Sequence, residues 1–174
     1  MTTSITMHSA SAPVFARMLG NMLTWLELAK AHAEAKKFDT SVYLTLRLAP
    51  DMLPFARQIQ IASDAAKGCV ARLAGEAVPS WEDKEATLDE LAERIRRTRD
   101  YVLSLPAAAF EGSEERAVEI PRRNGDPLKF NGHDYLTQFA LPNFYFHATT
   151  TYALLRHAGV DLGKADYLRG RQPG

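Results

Sequence analysis

The sequence predicts an all-α fold: a four-helix bundle with a short β-hairpin between the third and fourth helices, forming a single domain over residues 1–174. Three observations predict it. Apolar residues recur every three or four positions in four long stretches. Helix-start and helix-stop residues fall at the ends of those stretches. One segment alone carries the turn and alternation signals of paired strands. Each amphipathic helix has one apolar stripe to bury, and four such stripes cover one another most simply in a bundle.

The first helix runs from Pro13 to about Lys37, with Phe15, Met18, Met22, Trp25 and Ala29 on one face and Arg17, Glu27, Lys30 and Glu34 largely elsewhere. Ser11 is placed to be its N-cap, and Pro13 is tolerated in a first turn whose amides have no intrahelical partner. From Thr40 to Leu48, apolar Val42, Leu44, Leu46 and Leu48 alternate with other residues at the period of a strand. A lone strand beside helices has nothing to pair with, so a helical turn or an irregular connector suits this segment equally well.

The second helix extends from Met52 to about Ala74, with Asp51 as N-cap, Pro54 in the first turn, and Phe55, Ile59, Ala62, Ala66, Cys69 and Leu73 facing inward. Gly75 is well placed to end it. A proline-containing loop holding Trp81 follows. Thr87 and Glu90 then form a capping box before Leu88, Leu91, Ile95, Val102 and Leu105, and Pro106 closes this third helix. Arg116–Pro121 and Pro127–Phe130 flank Asn124-Gly125, a turn signal of the hairpin kind. The fourth helix spans about His133 to His157, is stopped by Gly159, and contains Pro142, which removes one backbone hydrogen bond and predicts a kink.

Composition excludes several function classes. Lys and Arg total 21 and so do Asp and Glu, which leaves no net field to draw in a polyanion; nucleic acid is not an expected partner. No stretch approaches the roughly 20 apolar residues that span a bilayer, and the N-terminus lacks the features of a secretory signal, so a cytoplasmic protein without a membrane partner is expected. A single cysteine, Cys69, fits a reducing compartment and reads as a small core residue. Apolar surface beyond the needs of one core (Met18, Met22, Trp25, Trp81, Phe110) predicts a homodimer.

Chemistry-bearing patterns are few. His147 and His157 are the two histidines well inside one helix, and at about 15 Å of rise apart they cannot share an ion. There is no HxxxH, HExxH or ExxH pair, nucleophile elbow or phosphate-binding glycine loop. The densest polar cluster lies midway along the fourth helix, where Asn143, His147 and either Thr150 or Thr151 form a stripe among Phe139, Phe146 and Leu154. Two readings stand side by side: satisfied core polar groups, with His147 bonded to Asn143 or to a second-helix side chain, or a small pocket at a helix kink. Gln58 and Gln60 differ by about 200° in direction, so at most one points inward; Gln58 shares a face with Ala62 and Cys69 and is the better candidate. The candidate pocket is therefore Gln58, Asn143, His147 and Thr151. Asp64 reads as solvated or paired with Lys67 or Arg57. Arg94, Arg96, Arg97 and Arg99, interleaved with Glu90, Glu93 and Asp100, read as an exposed helix face.

Phe146-His-Ala-Thr-Thr-Thr-Tyr-Ala-Leu-Leu-Arg-His-Ala-Gly159 resembles the end of the last helix in DinB/YfiT-like proteins, where a His is followed by a Leu-Leu-Arg-x-x-Gly finish. Leu48-Ala-Pro-Asp-Met, Arg57-Gln-Ile-Gln-Ile-Ala-Ser-Asp, Ala71-Arg-Leu-Ala-Gly and Leu141-Pro-Asn-Phe-Tyr-Phe-His resemble one branch of that superfamily, domain of unknown function 1993, and the resemblance spans nearly the whole chain. It implies a four-helix bundle. It also implies a place for a divalent metal held by three His, one on the second helix and an HxxxH pair on the last. Here His147 occupies the last position, Asn143 replaces the first His of the pair, and the second-helix position falls near Gln58 to Gln60. Two amides in place of two imidazoles predict no tightly bound transition metal and no cofactor. The leading expectation is a non-metal bundle that binds a small molecule or serves a structural or stress-related role. The alternative that the resemblance implies is a thiol-dependent transferase or isomerase, or a metal-assisted enzyme.

Overall fold

The computed structural model describes residues 4–122 and 124–170. Helix α1 (Ala12–Lys36), the single turn α2 (Ser41–Leu44), α3 (Phe55–Ala74) and α4 (Leu88–Ser104) come first. Two short 3-10 turns follow, then strands β1 (Val118–Ile120) and β2 (Leu128–Phe130), a turn α5 (Gly132–Asp134), a π-helical stretch (Tyr135–Ala140), α6 (Leu141–His157) and α7 (Lys164–Arg169). Helix α1 packs on α4, α4 on α3, α3 on α6, and α6 back on α1, so the four long helices close a ring. The predicted bundle with its hairpin is present. Phe15, Leu19 and Trp25 of α1, Ile59 and Leu73 of α3, Leu91 and Ile95 of α4, and Phe144 and Leu155 of α6 fill the interior and have no exposed surface. Each such burial is worth roughly 1.5–3 kcal/mol.

Several element boundaries differ from expectation for local reasons. Ser11 precedes α1 but does not cap it: its hydroxyl donates backward to the Met7 carbonyl at 2.6 Å, because a preceding turn presents that oxygen. Helix α3 begins at Phe55, not Met52, and Pro54 rather than Asp51 is its N-cap. The residue before a proline is driven out of the helical region, so no helix runs through Leu53. The Thr40–Leu48 segment is one helical turn and a connector, tied down by the Phe55 amide on the Leu46 carbonyl at 2.8 Å. At α4, Thr87 caps the Glu90 amide as expected, but Glu90 reaches past Thr87 to the Ala86 amide at 2.6 Å. The hairpin pairs Val118 with Phe130 and Ile120 with Leu128, and its connection is the long segment 121–127 rather than a two-residue turn. Gly75 (φ 76°) and Gly159 (φ 92°) end α3 and α6 in left-handed conformations that suit glycine.

Pro142 sits in the first turn of α6, directly after the π-helical stretch. A proline ring inside a helix collides with the carbonyl four residues back. The wider π turn, in which the Leu141 amide bonds the Leu136 carbonyl five residues back, is how the chain accommodates it.

The apolar surface offered above as surplus is used within the chain. Met18, Met22, Trp25 and Phe110 are buried, and Trp81 is half-buried. Helix α7 covers α1: Tyr167 stacks on Trp25 at 5.5 Å, and Asn21 donates to the Tyr167 carbonyl at 2.8 Å. The stated reason for a homodimer is thereby removed. Among the described residues no helix is long and apolar enough to cross a membrane.

Candidate functional site

Helices α3 and α6 run side by side and bring Gln58 against His147. Both are buried, and His147 Nδ1 lies 2.7 Å from Gln58 Oε1. Gln58 Nε2 donates to the Leu53 carbonyl at 2.8 Å, so its oxygen must accept, which assigns the imidazole hydrogen to Nδ1. Nε2 then carries the lone pair. Burial, and after it the nearby Arg57 charge, lowers the His147 pKa and keeps the ring neutral.

Of the other candidate residues, Thr151 is buried but its hydroxyl donates to the His147 carbonyl at 2.9 Å, and Thr150 makes the same backward bond to Phe146 at 2.8 Å. Both hydroxyls serve the helix backbone. Asn143 lies one turn before His147 and lines a cleft of about 220 Å³ between α3, β1 and the π-helical stretch. Ile61, Ile120 and Phe139 form its apolar walls; Asp64, Arg72 and Tyr135 are its other polar groups. The Asn143 carboxamide has no hydrogen-bond partner among the described residues.

A second cluster went unread in the sequence. Arg94 is not on an exposed face: it is buried, and it binds Asp64 at 3.0 Å, Asp83 at 2.8 Å and Glu85 at 3.0 Å. These partners fasten the loop 76–87 across α3 and α4. Gln60, expected to point away if Gln58 pointed in, is also buried, because Glu85 of this loop accepts from it at 2.8 Å. Arg57 reaches Asp83, while Asp64 takes Lys67 at 2.8 Å together with Arg94. Trp81 lies between two cations, Lys67 at 4.4 Å and Arg97 at 4.3 Å from its ring. Burial pushes the Asp83 and Glu85 carboxyls up, but Arg57 and Arg94 on Asp83, and Arg94, a backbone amide and Gln60 on Glu85, outweigh it and hold both below the usual carboxylate range. The signal for Arg94 was its place on the apolar stripe Leu91, Ile95, Thr98; nothing in the sequence showed which loop acids would meet it.

The sequence profile of the domain of unknown function DUF1993 matches residues 7–168. The chain belongs to this family. A solved structure agrees with the wider relationship: the crystal structure of a DinB family member protein from Shewanella denitrificans is 39% identical, the match covers 96% of this chain and 93% of that one, and the two superpose with a TM-score of 0.84. No curated protein matches. This DUF1993 protein is thus a DinB-like helical bundle.

The donor set at the three positions where the resemblance implies a metal does not fit a divalent transition ion. His147 Nε2 is the one free nitrogen lone pair there, since both side-chain polar atoms of Gln58 are engaged and Asn143 offers a neutral amide. Neutral amide oxygens are poor ligands for zinc or nickel. Among the described residues no group of three His, Cys, Asp or Glu side chains is arranged to hold a metal ion; the acids Asp64, Asp83 and Glu85 are gathered on Arg94 instead. Cys69 is fully buried, and burial pushes its thiol far up, so it is not a reactive nucleophile.

Proposed function

We propose that this protein binds a small ligand without a metal, in the cleft between α3 and the last helix. Asn143 contacts the ligand, and the Gln58–His147 bond cross-links α3 and α6 at the positions where the resemblance implies a metal. Thr151 holds the backbone beneath His147. The observation that carries this reading is the half-buried Asn143 carboxamide, which lines a cleft and has no protein partner among the described residues. Chemical-shift mapping of a fragment library tests it: fragments shift the amides of Ala65, Ala140 and Asn143, and Asn143→Leu abolishes that binding. A library that leaves all three signals unmoved overturns it.

A second reading is a cofactor-free acid/base enzyme of the same family, using His147. What favours it is the oriented, neutral imidazole with its Nε2 lone pair unspent, the state a general base requires. A fragment that moves the His147 Nε2 nitrogen resonance together with Asn143 would place the base against the ligand.

Self-association and a cytoplasmic location belong to the same proposal. Leu53 and Phe146, 44% and 57% exposed, flank the Gln58–His147 pair and support pairing of two copies there. Light scattering at micromolar concentration reads it directly; a monomer counts against it. Reduced, buried Cys69 supports the compartment.

A further inference from the structure

Arg72 stands apart from the other cations on this side of the molecule. Lys67, Arg57 and Arg94 each have a carboxylate, whereas Arg72 has none among the described residues. Its one polar side-chain contact is Nη1 to the Tyr135 hydroxyl at 3.2 Å. The guanidinium reaches that position by folding back over its own helix at Gly68, where an added Cβ would lie 2.5 Å from Nη1. Tyr135 is 2% exposed and lines the same cleft. Because its oxygen accepts from Arg72, its own hydrogen is available, and no acceptor among the described residues takes it.

Three donors therefore converge on one cleft: a guanidinium without a counter-ion, a buried phenol with a spare hydrogen, and the Asn143 carboxamide. The carboxylate in the same cleft, Asp64, is already held by Lys67 and Arg94, so Arg72 sets the unmatched charge. A volume of about 220 Å³ is that of about seven waters. With Ile61 and Phe139 as walls, it suits a flat apolar body carrying one anionic group.

We infer that the cleft takes a small aromatic or otherwise flat monocarboxylate, its carboxylate gripped by Arg72 and Tyr135 and its apolar body laid against Ile61 and Phe139. Planar guanidinium and carboxylate match in geometry, and a charged hydrogen bond in a half-buried site is about twice as strong as a neutral one. The inference rests on the cleft being the ligand site and adds the chemical class.

Benzoate, benzamide and benzylamine, three probes of one size and different charge, test it by chemical-shift titration of the full chain. Benzoate shifts Ala65 and Asn143 and binds about tenfold or more tighter than benzamide, a difference expected of one charge-assisted contact. Arg72→Met abolishes that binding. Tyr135→Phe and Gly68→Ala, which removes the space for the guanidinium without emptying the core, each weaken it severalfold at an unchanged or higher melting temperature. Gly68→Ala decides the matter if Arg72→Met fails to fold. Benzamide or benzylamine filling the cleft as tightly as benzoate overturns the carboxylate inference and leaves the ligand cleft standing. Benzoate binding that survives both Arg72→Met and Gly68→Ala also overturns it. No probe moving Ala65 or Asn143 overturns both.

Discussion

Gln58 and His147 face each other across the α3–α6 seam with 2.7 Å between amide oxygen and imidazole nitrogen, and each is the other's buried partner. Removing one leaves the other unsatisfied in a dry place. His147→Ala is expected to cost about 1–3 kcal/mol, from the orphaned Gln58 oxygen and the cavity together. His147→Leu fills the space but still orphans Gln58, so it too melts lower. The Gln58→Leu/His147→Leu double variant recovers part of the loss, with a coupling of about 1–2 kcal/mol in a double-mutant cycle. A His147→Leu protein that melts at or above wild type marks the histidine as kept for chemistry, not for the seam.

The same histidine makes stability depend on pH. Its folded pKa lies below its ordinary value of 6.5. The unfolded chain takes up a proton there that the folded chain refuses, so stability is full above that pH and declines as pH falls through it, until the folded ring protonates as well. Asp83 and Glu85 act in a lower window. Their contribution is present above the ordinary carboxylate range and disappears as pH falls through their depressed values. Urea midpoints from about pH 7.5 down to 5.5 should slope in wild type and lie flat in His147→Leu; equal slopes would assign the effect to another group.

Arg94 is the fastener of the loop 76–87. Arg94→Met leaves Glu85 without a cation among the described residues, while Asp83 keeps Arg57 and Asp64 keeps Lys67, and is expected to cost about 1–3 kcal/mol. Limited trypsinolysis checks the local part: cleavage after Lys84 speeds up before the rest of the chain is cut. A variant with unchanged cleavage and melting would show that the loop is held by Trp81 between Lys67 and Arg97 instead.

Gly68→Ala separates stability from geometry. A mid-helix alanine gains up to about 1 kcal/mol over glycine, and the atom in its way is the far end of a flexible arginine. The variant should melt at or above wild type while a nuclear Overhauser contact between Arg72 and Tyr135 is lost. A lower melting temperature would mean that the Arg72 contact itself carries stability.

How far the sequence could be read follows from which forces are local. Helix stripes, glycine stops and the Thr87 cap are encoded within a few residues, so the bundle was legible; for His147 the helix faces left both Asn143 and a second-helix side chain open as partners, and only packing selects Gln58. The loop 76–87 was not legible, because Asp83 and Glu85 carry no periodic signal and acquire meaning only when tertiary packing sets them on Arg94. The Arg72–Tyr135 contact was hidden for the same reason, with its partners far apart in the chain. A local steric rule unread at Leu53-Pro54 accounts for the late start of α3; at Pro142 the same kind of rule was read as a kink within one helix, and the chain instead places a π-helical stretch directly before the proline.

That stretch works as an angular setting. A π turn holds about one residue more than an α turn, and each residue in a helix advances the side-chain direction by about 100°. Deleting a single residue from Tyr135–Ala140 would let the segment close as an ordinary helix. The side chains of that segment ahead of the deletion would turn by that angle relative to α6, carrying Tyr135 away from Arg72. The cleft thus exists by virtue of one surplus residue, and single-residue insertions and deletions there offer evolution a way to re-aim the site in one step, where substitutions in its walls change only what lines it.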